Sequence, residues 1–74
     1  MLKKELTPRE REVLIALARG LKNTEIAKLL SVTSHTIKAH ISSILRKFSC
    51  QNRTDVALYA LKNGVIHLQD LERP

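Results

Sequence analysis

Acidic side chains are missing from the middle of this 74-residue sequence. None occurs between Glu25 and Asp55. Five basic residues lie in that interval, namely Lys28, Lys38, Arg46, Lys47 and Arg53. The formal net charge is +6, so the positive potential is concentrated in the middle of the chain. Such a charge distribution suits a nucleic acid, an anionic membrane or an acidic protein as the partner.

The sequence is also poor in cysteine, aromatic residues and long hydrophobic runs. Cys50 stands alone, which excludes an internal disulfide and favours a reducing compartment. Phe48 and Tyr59 are the only aromatic residues, so the predicted core is aliphatic. No apolar run is longer than Val56 to Leu61, which is far shorter than the roughly 20 residues of a membrane span. No signal peptide is recognisable, and we expect a soluble, cytoplasmic protein with no membrane partner.

Residue patterns typical of catalysis or metal binding are not found either. The serines near Lys38 have no acidic partner to orient them, and there is no glycine-rich phosphate loop or paired set of carboxylates. His40 and Cys50 are the one close pair of soft ligands, and no zinc-type spacing surrounds them. We therefore predict that the protein is not an enzyme and has no cofactor or metal. His40 is interpreted as a partly buried packing residue.

Capping signals and apolar spacing predict four helices. Thr7-Pro8-Arg9-Glu10 is a capping box with proline at the first helical position, so the first helix begins there and ends before Gly20. The other helices are expected at Thr24–Leu30, at about 34–48 and at Arg53–Lys62, capped by Asn23, Thr33 and Asn52. The tail, Val65 to Pro74, is expected to be irregular, with Val65 and Ile66 packed on the body. The prediction is one all-α domain over residues 1–74, a compact four-helix fold containing a helix-turn-helix, with its core at about 6–66 and flexible termini.

The third helix has two chemically different faces. Its apolar stripe consists of Ile37, Ile41, Ile44, Leu45 and Phe48. The opposite arc is assigned Lys38, Ala39, Ser42, Ser43 and Arg46, all of them small or basic. A slim face with hydrogen-bond donors, hydroxyls and a methyl group fits an anionic groove, and double-stranded DNA is the favoured partner.

Three segments of the sequence resemble the DNA-binding domain of LuxR/FixJ/GerE-type transcriptional regulators. They are LTPREREVL at 6–14, GLKNTEIAKLL at 20–30 and TIKAHISSILRKF at 36–48. The resemblance covers about residues 6–66. It implies that the third helix enters the major groove and that the fourth helix forms a homodimer on two half-sites. Glycine is usual in the family where Ser49 stands, so either a left-handed cap there costs about 1 kcal/mol or the turn differs.

The predicted DNA contacts follow from both the resemblance and the helical wheel. Base contacts are assigned to Lys38, Ala39, Ser42 and His35, and phosphate contacts to Thr36, Arg46, Lys47 and Lys28. Lys38 is expected to reach a guanine edge, Ala39 a thymine methyl, and Ser42 a base acceptor. Several alternatives stay open: a phosphate in place of a base for Lys38, a solvated side chain for His35, and a helix-start role for Thr36. Arg46 and Lys47 also complement the dipole of the third helix, which does not exclude phosphate contact. Arg53 is expected to add long-range attraction to the same surface.

The fourth helix carries more apolar surface than one core contact can bury. We interpret the excess as a dimer interface through Val56, Tyr59 and Ala60, and the alternative is that the C-terminal tail covers it.

The rival function is a helical protein-interaction module with little DNA affinity of its own. The sequence fits either a stand-alone regulator or the C-terminal part of a longer response regulator or ligand sensor, located in the bacterial cytoplasm and on the nucleoid when bound to DNA. Contact with RNA polymerase is left open.

Overall fold

The computed structural model describes residues 5–72 and contains five helices in that range. They are α1 (Pro8–Ala18), α2 (Asn23–Leu30), α3 (Ser34–Phe48), α4 (Arg53–Lys62) and α5 (Leu68–Leu71). The predicted all-α class and the first four helices are confirmed. The prediction of an irregular tail is wrong at α5, a single turn that lies too close to the chain end to show any apolar periodicity. Residues 1–4 and 73–74, the outer parts of the termini expected to be flexible, lie outside the described residues.

Side-chain caps begin three of the helices as predicted. The Glu10 amide donates to Thr7 Oγ1 at 3.1 Å and the Thr7 amide donates to Glu10 Oε1 at 2.9 Å, which completes the capping box of α1. Thr33 accepts from the Thr36 amide at the start of α3. Asn52 caps α4 by accepting from the Asp55 amide. These bonds satisfy amides that have no partner within the helix.

The start of α2 differs by one residue from the prediction. Lys22, not Asn23, occupies the N-cap position, and its amide donates to Glu25 Oε1 at 2.7 Å. The Asn23 side chain instead accepts from Arg53 across the structure. Its amide oxygen is therefore used to hold two elements together rather than to cap α2.

Left-handed residues end α1, α2 and α3. Gly20 has φ +91°, as its predicted role as a helix stop requires. Ser31 and Ser49 adopt the same region with φ 59° and 54° at the ends of α2 and α3. The backbone turn after α3 is thus the left-handed one usual for glycine, and Ser49 adopts it at a cost of about 1 kcal/mol.

The core is a single cluster of aliphatic side chains drawn from α1 to α4 and the tail. Its fully buried large members are Val13, Leu14, Ile26, Ile37, Ile44, Val56 and Ile66. The predicted stripe of α3 is confirmed, with Leu45 and Phe48 at its half-buried edge. Ile66 closes the core from the tail, where Arg11 donates to the Val65 carbonyl and lies 3.6 Å from Asp70. None of the helices in residues 5–72 is long and apolar enough to span a membrane.

Candidate nucleic-acid interface

Helices α2 and α3 form the predicted helix-turn-helix, joined by the turn Ser31-Val32-Thr33. The turn is closed by the Val32 amide, which donates to the Ala27 carbonyl at 2.9 Å, and by the Thr33 cap. Ile37, Ile41 and Ile44 anchor α3 in the core. The opposite side of α3 is therefore presented to solvent.

The exposed positions of α3 form one stripe along the helix. They are His35, Lys38, Ala39, Ser42 and Arg46. Their spacing of three or four residues keeps them on one side over three turns. All four residues predicted to contact bases lie on this stripe, which we call the reading face, and Arg46 extends it at the C-terminal end. The reading face contains no acidic side chain.

Two flanking residues have different surroundings. Lys28 is exposed on α2, where its ammonium group is available to solvent. Thr36 is half-buried, and its hydroxyl lies 3.0 Å from that of Thr33 within the N-terminal turn of α3. The structure thus gives Thr36 the role of a helix-start residue, and a phosphate contact from it stays a prediction.

Lys47 and Ser43 turn away from the reading face toward α1. Lys47 Nζ donates to Glu10 Oε1 at 2.6 Å and to the Glu5 carbonyl at 3.0 Å. Ser43 Oγ donates to Glu10 Oε2 at 2.8 Å. The placement of Ser43 on the outward arc is therefore wrong, because α3 packs against α1 as well as α2 and buries more than one apolar stripe. Lys47 thus has an internal partner that the sequence did not reveal, and a phosphate contact from it stays a prediction.

Glu10 is a buried carboxylate that the sequence revealed only as a capping residue. It is 5% exposed and is the one polar residue among the buried side chains of residues 5–72. Burial alone would raise its pKa, but the hydrogen bonds from Lys47, the Thr7 amide and Ser43, with the charge of Lys47, outweigh it and lower the pKa to about 2. Glu10 is therefore ionised at neutral pH. The one sequence signal for this contact is the pair Ser43 and Lys47, two polar residues four positions apart beside the apolar stripe of α3.

Arg53 is the second basic residue whose environment differs from the prediction. It is half-buried, and its guanidinium donates to Asn23 Oδ1 at 2.5 Å and to the Leu21 carbonyl at 2.7 Å. These bonds join the start of α4 to Leu21, between α1 and α2, and to Asn23, the first residue of α2. Arg53 thus has a structural role that the sequence did not reveal, and since both acceptors are neutral its positive charge is retained. The long-range attraction of DNA expected from it stays a prediction.

Comparison with known proteins assigns the family. The model of the GerE family, described as bacterial regulatory proteins of the luxR family, matches residues 4–60. The chain belongs to the luxR family of bacterial regulatory proteins. The resemblance seen in the three sequence segments is thereby confirmed, and DNA binding in transcription regulation is the general role of this luxR-family domain.

Several curated relatives are regulators by name. The chain is 46% identical over 61 residues to "Transcriptional regulatory protein LnrK" of Bacillus subtilis, which is 82% of this chain and 28% of LnrK. It is 43% identical over 61 residues to "Response regulator protein VraR" of Staphylococcus aureus, covering 82% of this chain and 29% of VraR. It is 42% identical over 65 residues to the "Uncharacterized transcriptional regulatory protein YxjL" of Bacillus subtilis, covering 88% and 30%. The chain thus spans a little under a third of these relatives.

The α4 surface of this luxR-family domain corrects the predicted dimer interface. Val56 and Ala60 are 0% exposed and belong to the core, so a partner cannot reach their side chains. Tyr59 is 40% exposed, and its ring lies 5.3 Å from that of Phe48. Leu58, which was not selected from the sequence, is 55% exposed. The available apolar surface of α4 therefore consists of Leu58 and Tyr59.

Proposed function

We propose that this domain binds double-stranded DNA sequence-specifically, with α3 in the major groove. The observation that carries the proposal is the reading face, five exposed residues in line along α3 without an acidic group. An α-helix fits the major groove, where each base pair presents a distinct pattern of donors, acceptors and methyl groups. The small side chains of Ala39 and Ser42 allow the helix to approach the bases closely.

The residues of the reading face, together with Lys28 on α2, divide by chemistry into those that contact bases and those that contact the phosphate backbone. Lys38 is long enough to donate to a guanine O6 or N7, while Ala39 can pack on a thymine methyl and Ser42 can donate a hydrogen bond. His35 lies in the first turn, within reach of a base or the backbone. Arg46 and Lys28 supply phosphate contacts, which carry most of the affinity and make it salt-dependent.

Substitution of Lys38 by alanine tests the proposal. The Lys38 side chain is exposed, so Lys38→Ala leaves the fold intact and is expected to weaken binding to a selected duplex by about 1–3 kcal/mol. The matched control, Arg19→Ala, removes an exposed positive charge at the end of α1, outside the helix-turn-helix. Both variants are titrated at one salt concentration with a duplex selected from a random pool. Equal affinity of Lys38→Ala and the wild-type domain would refute the assignment of α3.

The exposed apolar surface of α4 supports a homodimer on two half-sites as part of the same proposal. Leu58 and Tyr59 lie side by side on α4, whose other face fills the core. A symmetric pair would place two copies of α3 on one duplex, so that the selected sites contain two related half-sites. The names of the relatives further suggest that such a domain serves a response regulator that acts on transcription. RNA polymerase is kept in the proposal as a further partner, on no ground beyond this regulatory role.

The rival function is a protein-interaction module that uses the Leu58–Tyr59 surface and has little affinity for DNA. The two functions differ in one simple measurement. A mobility-shift assay with random duplex at low salt should give a shift if α3 binds DNA, because the phosphate contacts do not depend on sequence. The interaction module predicts no shift under those conditions.

A further inference from the structure

Glu10 connects α1 to one flank of α3 through both of its carboxylate oxygens. Oε1 accepts from the Thr7 amide at 2.9 Å and from Lys47 Nζ at 2.6 Å. Oε2 accepts from Ser43 Oγ at 2.8 Å. Ser43 and Lys47 are four residues apart, so they lie one turn apart on the same side of α3. The carboxylate therefore holds α3 at two points along its length.

These bonds restrict the rotation of α3 about its own axis, which the apolar core resists less strongly. Hydrophobic contacts are not directional, and a helix with an aliphatic face can rotate slightly about its axis while the face remains buried. Hydrogen bonds to a charged group are directional and about twice as strong as neutral ones. A rotation of about 20° moves a side-chain tip about 6 Å from the helix axis by about 2 Å, which is enough to break a hydrogen bond to a base.

We infer that Glu10 is a positioning residue for DNA recognition, which fixes the rotation of α3 through Ser43 and Lys47 and so aims the reading face at the bases. The inference rests on the proposed DNA-binding function. It also gives Lys47 a different role from Arg46, its neighbour in sequence. Lys47 is 27% exposed and has its charge compensated by Glu10, whereas Arg46 is exposed on the reading face.

The test compares variants that loosen the flank of α3 with one that weakens α1 alone. Glu10→Gln removes the negative charge of the carboxylate, and Ser43→Ala removes one of the two hydrogen bonds, or ties, between Glu10 and α3. Thr7→Ala removes the helix cap of α1 and leaves both ties to α3 in place, so it controls for lost stability. The ratio of affinity for a selected duplex to affinity for random duplex is expected to fall about tenfold in the first two variants. It should not change in Thr7→Ala.

Salt dependence separates the two cations at the end of α3. Arg46→Met is expected to reduce the slope of log affinity against log salt by about 0.9, the value for one phosphate contact. Lys47→Met is expected to leave that slope unchanged, because Lys47 does not reach a phosphate. An equal reduction in both variants would overturn the role given to Lys47.

The orientation of α3 can also be measured without DNA, which tests the role of Glu10 independently of the proposed function. Residual dipolar couplings of the backbone amides report how α3 is oriented relative to α1. They are expected to change for residues 34–48 in Glu10→Gln and Ser43→Ala and to stay as in the wild type in Thr7→Ala. Couplings that do not change in Glu10→Gln would overturn the positioning role. A wild-type domain that binds no duplex would refute the proposed function, and the couplings would still decide whether Glu10 orients α3.

Discussion

The buried carboxylate of Glu10 makes a specific prediction about stability in acid. Its pKa falls from the ordinary 4.5 to about 2 in the folded domain. Since one pKa unit corresponds to about 1.36 kcal/mol, the ionised group contributes about 3 kcal/mol to the free energy of unfolding at neutral pH. That is a large share of the roughly 4–11 kcal/mol expected for a domain of this size.

The sign of the effect follows from which state binds protons more readily. Because the pKa is lower in the folded state, the unfolded chain takes up the proton first as the pH falls. The contribution of Glu10 is complete above about pH 5 and is lost progressively as the pH falls toward 2. Protonation also leaves the Lys47 ammonium next to a neutral group, which weakens the tie between α1 and α3.

Urea unfolding of the wild type and of Glu10→Gln at several pH values measures this contribution. The variant is expected to be less stable by about 2–3 kcal/mol at pH 7, and the difference should shrink steadily below pH 5. Glu12→Gln is the matched control, since Glu12 is an exposed carboxylate whose ion pair with Arg9 is worth less than about 1 kcal/mol. A difference between Glu10→Gln and the wild type that stays constant from pH 7 to pH 2 would refute the reasoning.

Three further substitutions test the fold and the dimer. Ser49→Gly places glycine at a left-handed position and should raise the free energy of unfolding by about 0.5–1 kcal/mol in a urea titration; a loss of stability would argue against the left-handed cap. Ile66→Ala opens a cavity at a fully buried site and should lower the melting temperature, with a loss of about 2–5 kcal/mol. Leu58→Asp, at an exposed position, should shift the domain toward the monomer in sedimentation experiments and leave its helix content unchanged; an unaltered dimer would exclude this surface.

Local signals account for what the sequence predicted well. Thr7, Thr33 and Asn52 each bond to an amide three residues away, so a helix start can be recognised without knowledge of the fold. The apolar spacing of α3 identified its buried side for the same reason. The reading face was found as the complement of that side, because a helix that packs through one stripe exposes the residues opposite it.

The sequence could not show which residues on the flanks of a helix meet a partner. Ser43 and Lys47 lie beside the apolar stripe of α3, and their bonds to Glu10 span more than 30 residues of sequence. The run of apolar residues in α4 posed a similar problem, since every side of the helix is apolar and the periodicity is lost. Val56 and Ala60 are the residues of α4 that are buried in the core. Which apolar residues are buried depends on how α4 packs against α1 and α3.

The docking of the tail has a practical consequence for anyone who moves this domain into another protein. The match to the luxR-family model stops at residue 60, which would be a natural point to place a fusion junction. A junction there would remove Ile66, which closes the core, and the Val65 carbonyl that Arg11 binds. The smallest transferable unit therefore extends beyond the region that the family model matches, to the end of α5. Chimeric regulators should be joined after residue 72 or through the N-terminal segment.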